Sequence, residues 1–310
     1  MEKIYDMVIV GGGPGGYTAA LYGARAGLSV VILERMAAGG QIAMTHQVDN
    51  YPGFAEGIDG FTLAENMQKQ AHRFGAKTIY AEVQSLELEG AVKRILTDSG
   101  VFFGRTVVIS TGASPRYLGL PREQELAGLG LHYCAACDGM FYRGKTVAVV
   151  GGGNSAVADA LVLSRIAKKV ILIHRRDSLR ATKVYHESLE QAENVEILWN
   201  SAVSQLVENG RLTGIQVQNV LTGQEEEIAC DGVFVSIGRQ PASKLVVGQL
   251  AVDKEGYIIA GEDTATNIPG VYAVGDVRTK QVRQVVTAVS DGAIASHQAE
   301  SYLAAQQATS

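Results

Sequence analysis

Two of the chain's three cysteines, Cys134 and Cys137, stand two residues apart in HYCAACDGMF (132–141), and Asp138 follows at once. Such a pair can hold half of a zinc site, staple the chain, or cycle between dithiol and disulfide. Zinc needs four ligands. His132 offers a third, but Cys230 lies alone in EIACDGVFVSIG, and no second C-x-x-C or H-x₃₋₅-H pattern supplies the fourth. A static staple closing so short a loop removes little unfolded-state entropy, and a reducing compartment opposes it. Redox work fits best, because the short spacing lets the sulfurs meet and a nearby dipole can favour thiolate. Asp138 would then supply and take the proton that thiol–disulfide exchange requires, or it is simply a turn or cap aspartate.

A redox pair needs a source of electrons, and the glycine clusters indicate one. DMVIV is an apolar run, followed by Gly11-Gly12-Gly13-Pro14-Gly15-Gly16, a stretch of small helix formers (YTAALYGARAG) and a second apolar run, LSVVILE. This is strand, glycine turn, helix, strand, with Gly11, Gly13 and Gly16 at the dinucleotide fingerprint positions. Glycine suits these positions because a side chain would block the tight turn, the approach of a pyrophosphate to backbone N–H groups, or close helix packing. Glu34 ends the second strand, where an acid can accept bonds from ribose hydroxyls.

GKTVAVVGGGNSAVADALVLSRIAKKVILIHRRDSLRA repeats the device, with Gly151, Gly153 and Ala156 in the fingerprint positions. The spacing that leads from Gly11 to Glu34 leads here from Gly151 to His174, and Arg175, Arg176 and Arg180 follow. Guanidiniums suit a 2′-phosphate that a carboxylate would repel, so this site should prefer NADPH to NADH. Two dinucleotide sites in one chain suggest a hydride path, with a flavin and a nicotinamide as the natural pair. RTVVISTGASPR (105–116) and TATNIPGVYAVGDV (264–277) carry further strand ends, at Thr111-Gly112 and Gly275-Asp276.

Punctuation at GASPRYLGLP and IGRQPAS brackets the second unit, predicting an inserted domain over 114–241 within a discontinuous one of 1–113 and 242–310. The expected fold class is α/β, two Rossmann-like three-layer dinucleotide-binding domains, the second inserted into the first. Two parallel connections would form a hinge. The 27 basic and 32 acidic residues give a net charge of −5, with no basic block of the kind a nucleic-acid partner requires. No signal-peptide pattern and no bilayer-length apolar run are present, so the reading is soluble and cytoplasmic, without nucleic-acid or membrane partners.

In motif order over essentially its whole length, the chain resembles bacterial low-molecular-weight thioredoxin reductases, FAD-dependent members of the pyridine nucleotide-disulfide oxidoreductases. The resemblance rests on GGGPGGYTAALYGARAGLSVVILE, GGQIAMTHQVDNYPGF, STGASPR, YCAACDGMFYRGKTVAVVGGGNSA, HRRDSLRA, GVYAVGDV and RQVVTAVSDG. C-x-x-C-D placed just before the second glycine turn is its most specific element. The resemblance implies FAD at Gly11, Gly13, Pro14, Gly16, Glu34, Arg35, Gly39, Gly40, Gln41, Asn50, Thr111, Gly112, Asp276, Arg283, Gln284 and Val285. It implies NADPH at Gly153, Asn154, Ser155, Ala156, His174, Arg175, Arg176, Arg180, Ile237 and Gly238.

It also implies that Cys137 faces the flavin, Cys134 attacks the disulfide of thioredoxin, Asp138 is the acid–base, the inserted domain rotates between two working states, and the molecule is a homodimer. Ala136, Asn154 and Ser290 depart from the usual threonine, aspartate and glycine of that pattern. Rival readings are the same relay serving a glutaredoxin-like or peroxiredoxin-linked carrier, a flavin NAD(P)H oxidoreductase indifferent to the cysteines, and a nucleotide-sensing regulator.

Overall fold

The computed structural model describes residues 3–45 and 47–308. They fall into two units: residues up to Ser114 together with those from Gln240 onward, and Pro115–Arg239. The chain is therefore α/β, with one dinucleotide-binding fold inserted into another. The short strands Ala113–Pro115 and Arg239–Pro241 pair with each other where the chain passes between units.

In the first unit Lys77–Tyr80, Val30–Glu34, Ile4–Val10 and Gly100–Ile109 run parallel, in that order. Gly100–Ile109 is shared. Its first residues pair antiparallel with Lys93–Thr97, and its last three pair parallel with Val271–Ala273. Alternate residues of Ile4–Val10 enter opposite cores: Val8 and Val10 on one face, Met7 and Ile9 on the other. Burial on both faces is why these strands read as continuous apolar runs.

The Met7 face is covered by helices Pro14–Arg25, Gly60–Arg73 and Val285–Ala308 through Ala19, Ala20, Ala71, Ala295 and Ala299. The Val8 face is closed by Leu86, Leu88, Val246, Leu250 and Ile258. Small residues set the helix spacing: a Cβ at Gly292 would lie 2.3 Å from the Gly15 carbonyl oxygen, and one at Gly15 3.1 Å from that of Ala288.

The second unit repeats the plan. Val195–Leu198, Lys169–Ile173, Thr146–Val150, Gly232–Val235 and Leu131–His132 form a parallel sheet in that order. Val147 and Val149 pack on helix Asn154–Ser164 through Ala156, Val157, Ala160 and Leu163. Ala148 and Val150 pack on Leu206, Leu212, Ile215 and Val217 of the antiparallel strands Ser201–Glu208 and Leu212–Asn219. Helix, parallel sheet and antiparallel sheet make three layers. Among the described residues no helix is long and apolar enough to cross a membrane.

Candidate active site

At the first glycine turn the three fingerprint positions need glycine for different reasons. Gly11 has φ +101°, and a Cβ there would lie 2.4 Å from the Ser110 carbonyl oxygen; a Cβ at Gly16 would lie 2.2 Å from that of Gly11. Protein packing therefore demands both. Gly13 has an ordinary extended backbone, and its Cβ would meet no atom within 4 Å. The chain itself does not require glycine at 13, and no side chain caps the helix that starts at Pro14. Open space before uncapped N–H groups is the cradle a pyrophosphate fits.

Glu34 closes this turn. Its Oε2 accepts from Gly12 N at 2.7 Å and its Oε1 from Met36 N at 3.1 Å. Gly39 N donates to Gly12 O, and Gly39 and Gly40 both take positive φ, bringing Gly40 opposite Gly13. Gln41 is exposed beside them, and Arg35 is an exposed partner of Glu82 at 3.6 Å. Asn50 and Gln284, far apart in sequence, meet: Asn50 Nδ2 donates to Gln284 Oε1 at 3.0 Å. Thr111 Oγ1 donates to Ala242 O, Gly112 turns with φ +73°, and Arg283 lies 4.1 Å over the Tyr257 ring, just before Val285 begins the last helix.

Asp276 sits half-buried in the turn Gly275–Val277, and what holds that turn was not evident from the sequence. Asp291, buried in the last helix, accepts from Gly275 N at 2.8 Å, from Arg278 Nε and Nη2 at 3.0 Å each, and from Lys280 Nζ at 2.7 Å. Burial alone would raise the Asp291 carboxyl, but the bonds from Arg278 and Lys280 outweigh it and hold it below its ordinary value. A polar residue inside an otherwise small and apolar helix face was the only available signal.

The second turn follows the same logic. Gly151 has φ +149°, and a Cβ there would lie 2.4 Å from Ser236 O and 2.7 Å from the Ala156 methyl, whereas a Cβ at Gly153 would meet nothing within 4 Å. No side chain caps the helix beginning at Asn154; Asn154 Oδ1 instead accepts from Thr182 N at 2.8 Å. Ser155 is exposed on its first turn and Ala156 is buried. His174 is turned inward: a Cβ at Gly152 would lie 2.2 Å from its Nδ1, and its Nε2 is 3.0 Å from Ser178 O. Burial lowers its pKa, and Arg180, Arg176 and Arg175 add to the effect. His174 thus shapes the turn from beneath, while Arg175, Arg176 and Arg180 are exposed and form no ion pair with any described acidic residue. Ile237 packs on the core, and Gly238 O accepts from Arg116 N.

In the same unit Cys134 and Cys137 are joined as a disulfide with Cα atoms 5.3 Å apart, well inside the range such a bond spans. Both are half-buried, within reach of a partner, whereas Cys230 is buried and its thiol is pushed up to about 12 by burial and by Asp231. Asp138 ends the helical turn Ala135–Asp138, which follows Cys134 and contains Cys137, and its Oδ2 lies 3.0 Å from His132 Nδ1. His132 Nε2 is 2.6 Å from the Tyr142 hydroxyl. Both ring nitrogens of His132 are committed, which leaves neither for a metal beside the sulfurs. Among the described residues no group of three or more His, Cys, Asp or Glu side chains is placed to hold one.

The model of the family described as pyridine nucleotide-disulphide oxidoreductase matches residues 5–292. The chain is 42% identical to a thioredoxin reductase of Peptoclostridium acidaminophilum over 98% of its own length and 99% of that protein's. It is also 42% identical to a thioredoxin reductase of Treponema pallidum, covering 98% of each. Among solved structures, the thioredoxin reductase from Streptococcus pyogenes superposes with a TM-score of 0.93 at 42% identity, covering 98% of this chain and all of that one.

Proposed function

The chain belongs to the pyridine nucleotide-disulphide oxidoreductase family, and from that premise we propose that it is an NADPH-dependent flavoprotein that reduces thioredoxin. The observation that carries this is the accessible Cys134–Cys137 disulfide, followed by Asp138, in a unit that holds the second of two uncapped glycine turns. Bound at the first glycine turn, FAD would supply the hydride acceptor that links NADPH to that disulfide. In this reading residues 1–113 and 242–310 are the FAD-binding domain and 114–241 the NADPH-binding domain.

The chain's own groups divide the remaining work. Gly13 leaves room for the FAD pyrophosphate, Glu34 accepts from a ribose, and the Asn50–Gln284 pair and the Asp276 turn complete the site. Gly153 and Ser155 receive the NADPH pyrophosphate, and Arg175, Arg176 and Arg180 its 2′-phosphate. Once the pair is reduced, the Cys134 thiolate attacks the thioredoxin disulfide; Cys137 then displaces the mixed disulfide, restoring Cys134–Cys137. Asp138 gives and takes the protons of these exchanges. We further read the protein as a cytoplasmic homodimer, on family resemblance alone.

Anaerobic titration with NADPH tests the relay. Four electrons per chain, two beyond the flavin, are expected; an uptake of two would mean that the pair is inert. Cys137→Ser should keep FAD reduction by NADPH and lose thioredoxin reduction. A panel of small redox proteins separates thioredoxin from glutaredoxin-like or peroxiredoxin-linked carriers, and no turnover with any thioredoxin would overturn the assignment.

A further inference from the structure

We propose that His132 is a positioning residue that keeps a proton available to Asp138 at neutral pH, so that Asp138 can pass it to the sulfur leaving as thiolate. This rests on Asp138 being the acid–base of the pair. A carboxyl alone titrates near 3.9 and holds a proton about once in several thousand molecules at pH 7.5. An acid that must protonate sulfur at that pH needs a partner that titrates higher, and imidazole is the side chain that does so near neutrality.

The geometry provides one. His132 is 7% exposed, on the edge strand Leu131–His132, with Nδ1 3.0 Å from Asp138 Oδ2 and Nε2 2.6 Å from the Tyr142 hydroxyl. Phe234 stacks on the imidazole at 5.3 Å, and Tyr142 meets it edge-on at 5.3 Å. Gly232 makes room for Tyr142, since a Cβ there would lie 2.3 Å from its ring. Burial pushes the Tyr142 hydroxyl up to about 12, so it stays protonated. That hydroxyl donates to Nε2 when the ring is neutral and accepts from Nε2–H when the ring is charged. Either state leaves every polar atom paired, which a buried switch requires.

Asp138 and His132 together then carry a charge of −1 with one proton and 0 with two. Among the described residues, Tyr142 itself is acted on by Arg211, Asp231 and Cys230 besides Asp138, with Lys145 over its ring at 5.5 Å. The proton balance closes. NADPH supplies the two electrons that open the S–S bond; one sulfur remains thiolate, and the other takes a proton from Asp138. Asp138 is refilled from His132 Nδ1, and the pair recharges from water at the carboxylate, whose side chain is 19% exposed.

The test is iodoacetamide labelling of Cys134 and Cys137 against pH in dithiothreitol-reduced holoprotein, with the pH profile of kcat for thioredoxin beside it. His132→Gln keeps an amide for hydrogen bonding but cannot take the proton, so the carboxylate that follows Cys137 in the chain keeps its charge. Its labelling midpoint should rise by about one pH unit. Its kcat at pH 7.5 should fall about tenfold and climb as pH drops through the range where the wild type is level, with KM for thioredoxin unchanged.

Asp138→Asn should move the midpoint the other way. Unchanged profiles in His132→Gln, with changed ones in Asp138→Asn, would overturn the role of His132. Unchanged profiles in Asp138→Asn would instead overturn Asp138 as acid–base. FAD content reports folding of each variant. Should His132→Gln not fold, ¹⁵N-histidine NMR of the unmodified protein decides. A His132 ring that titrates between pH 5 and 9 is expected, and one that does not would sink the proposal.

Discussion

The guanidinium of Arg278 grips the carboxylate of Asp291 through two nitrogens, Nε and Nη2, each 3.0 Å from its oxygen, inside the first unit. Lys280 adds a second cation to the same carboxylate, so among the described residues this acid is the ion-pair partner of two buried bases. Asp291→Ala leaves both uncompensated. The expected loss is about 3–5 kcal/mol of stability, read by denaturant unfolding. The Gly275–Val277 turn should loosen with it, seen as faster hydrogen exchange at Gly275.

The same carboxyl sets an acid limit. Its folded-state pKa is depressed, so its contribution to stability is complete above the unfolded value, near 3.9, and is lost as pH falls through the folded value. Wild-type protein should therefore lose stability below about pH 4 more steeply than Asp291→Asn, which lacks this titration. Unfolding free energies measured between pH 5 and 2.5 check the difference in slope.

Gly13 of the first turn and Gly292 of the last helix should behave as two different kinds of glycine. Gly13→Ala meets no protein atom, so apoprotein stability should stay within about 0.5 kcal/mol of wild type while FAD affinity falls at least tenfold. Gly292→Ala drives a methyl against the Gly15 carbonyl and should cost about 1–3 kcal/mol. Thermal unfolding of apoprotein, with flavin titration, reads both.

Arg176 is exposed and without an acidic partner among the described residues, so Arg176→Ala should leave the fold intact. Loss of one charge-assisted contact, about 1.5–3 kcal/mol, predicts a rise of at least tenfold in KM for NADPH with KM for NADH nearly constant. Steady-state kinetics with both nucleotides check it.

Cys230 should be silent. Its thiol stays protonated up to about pH 12 and is buried, so native oxidised protein should show no fast alkylation at pH 8. Reduction should expose two reactive thiols, and denaturation three.

Much of this was legible in the chain because its signals are local. Apolar runs ending in glycine turns announce strand, turn and helix, and both faces of such strands are buried, so the two-fold α/β plan follows from period and punctuation. Cys134, Cys137 and Asp138 are neighbours in sequence, and their chemistry could be weighed without a fold.

Tertiary structure decided what depends on residues far apart. Only packing shows that Gly11 and Gly16 serve the protein while Gly13 leaves open space, because the carbonyls that crowd a Cβ come from Ser110 and from the turn itself. Asn50 meets Gln284, and Asp291 binds the turn before Asp276, across distances no spacing rule reaches. His132 first offers itself as a zinc ligand beside cysteine. A strand edge and a half-turn of helix instead commit both its nitrogens, to Asp138 and Tyr142. The physical reason is common to all three: residue type fixes what a group can do, but burial and the partner at 3 Å fix which of those things it does.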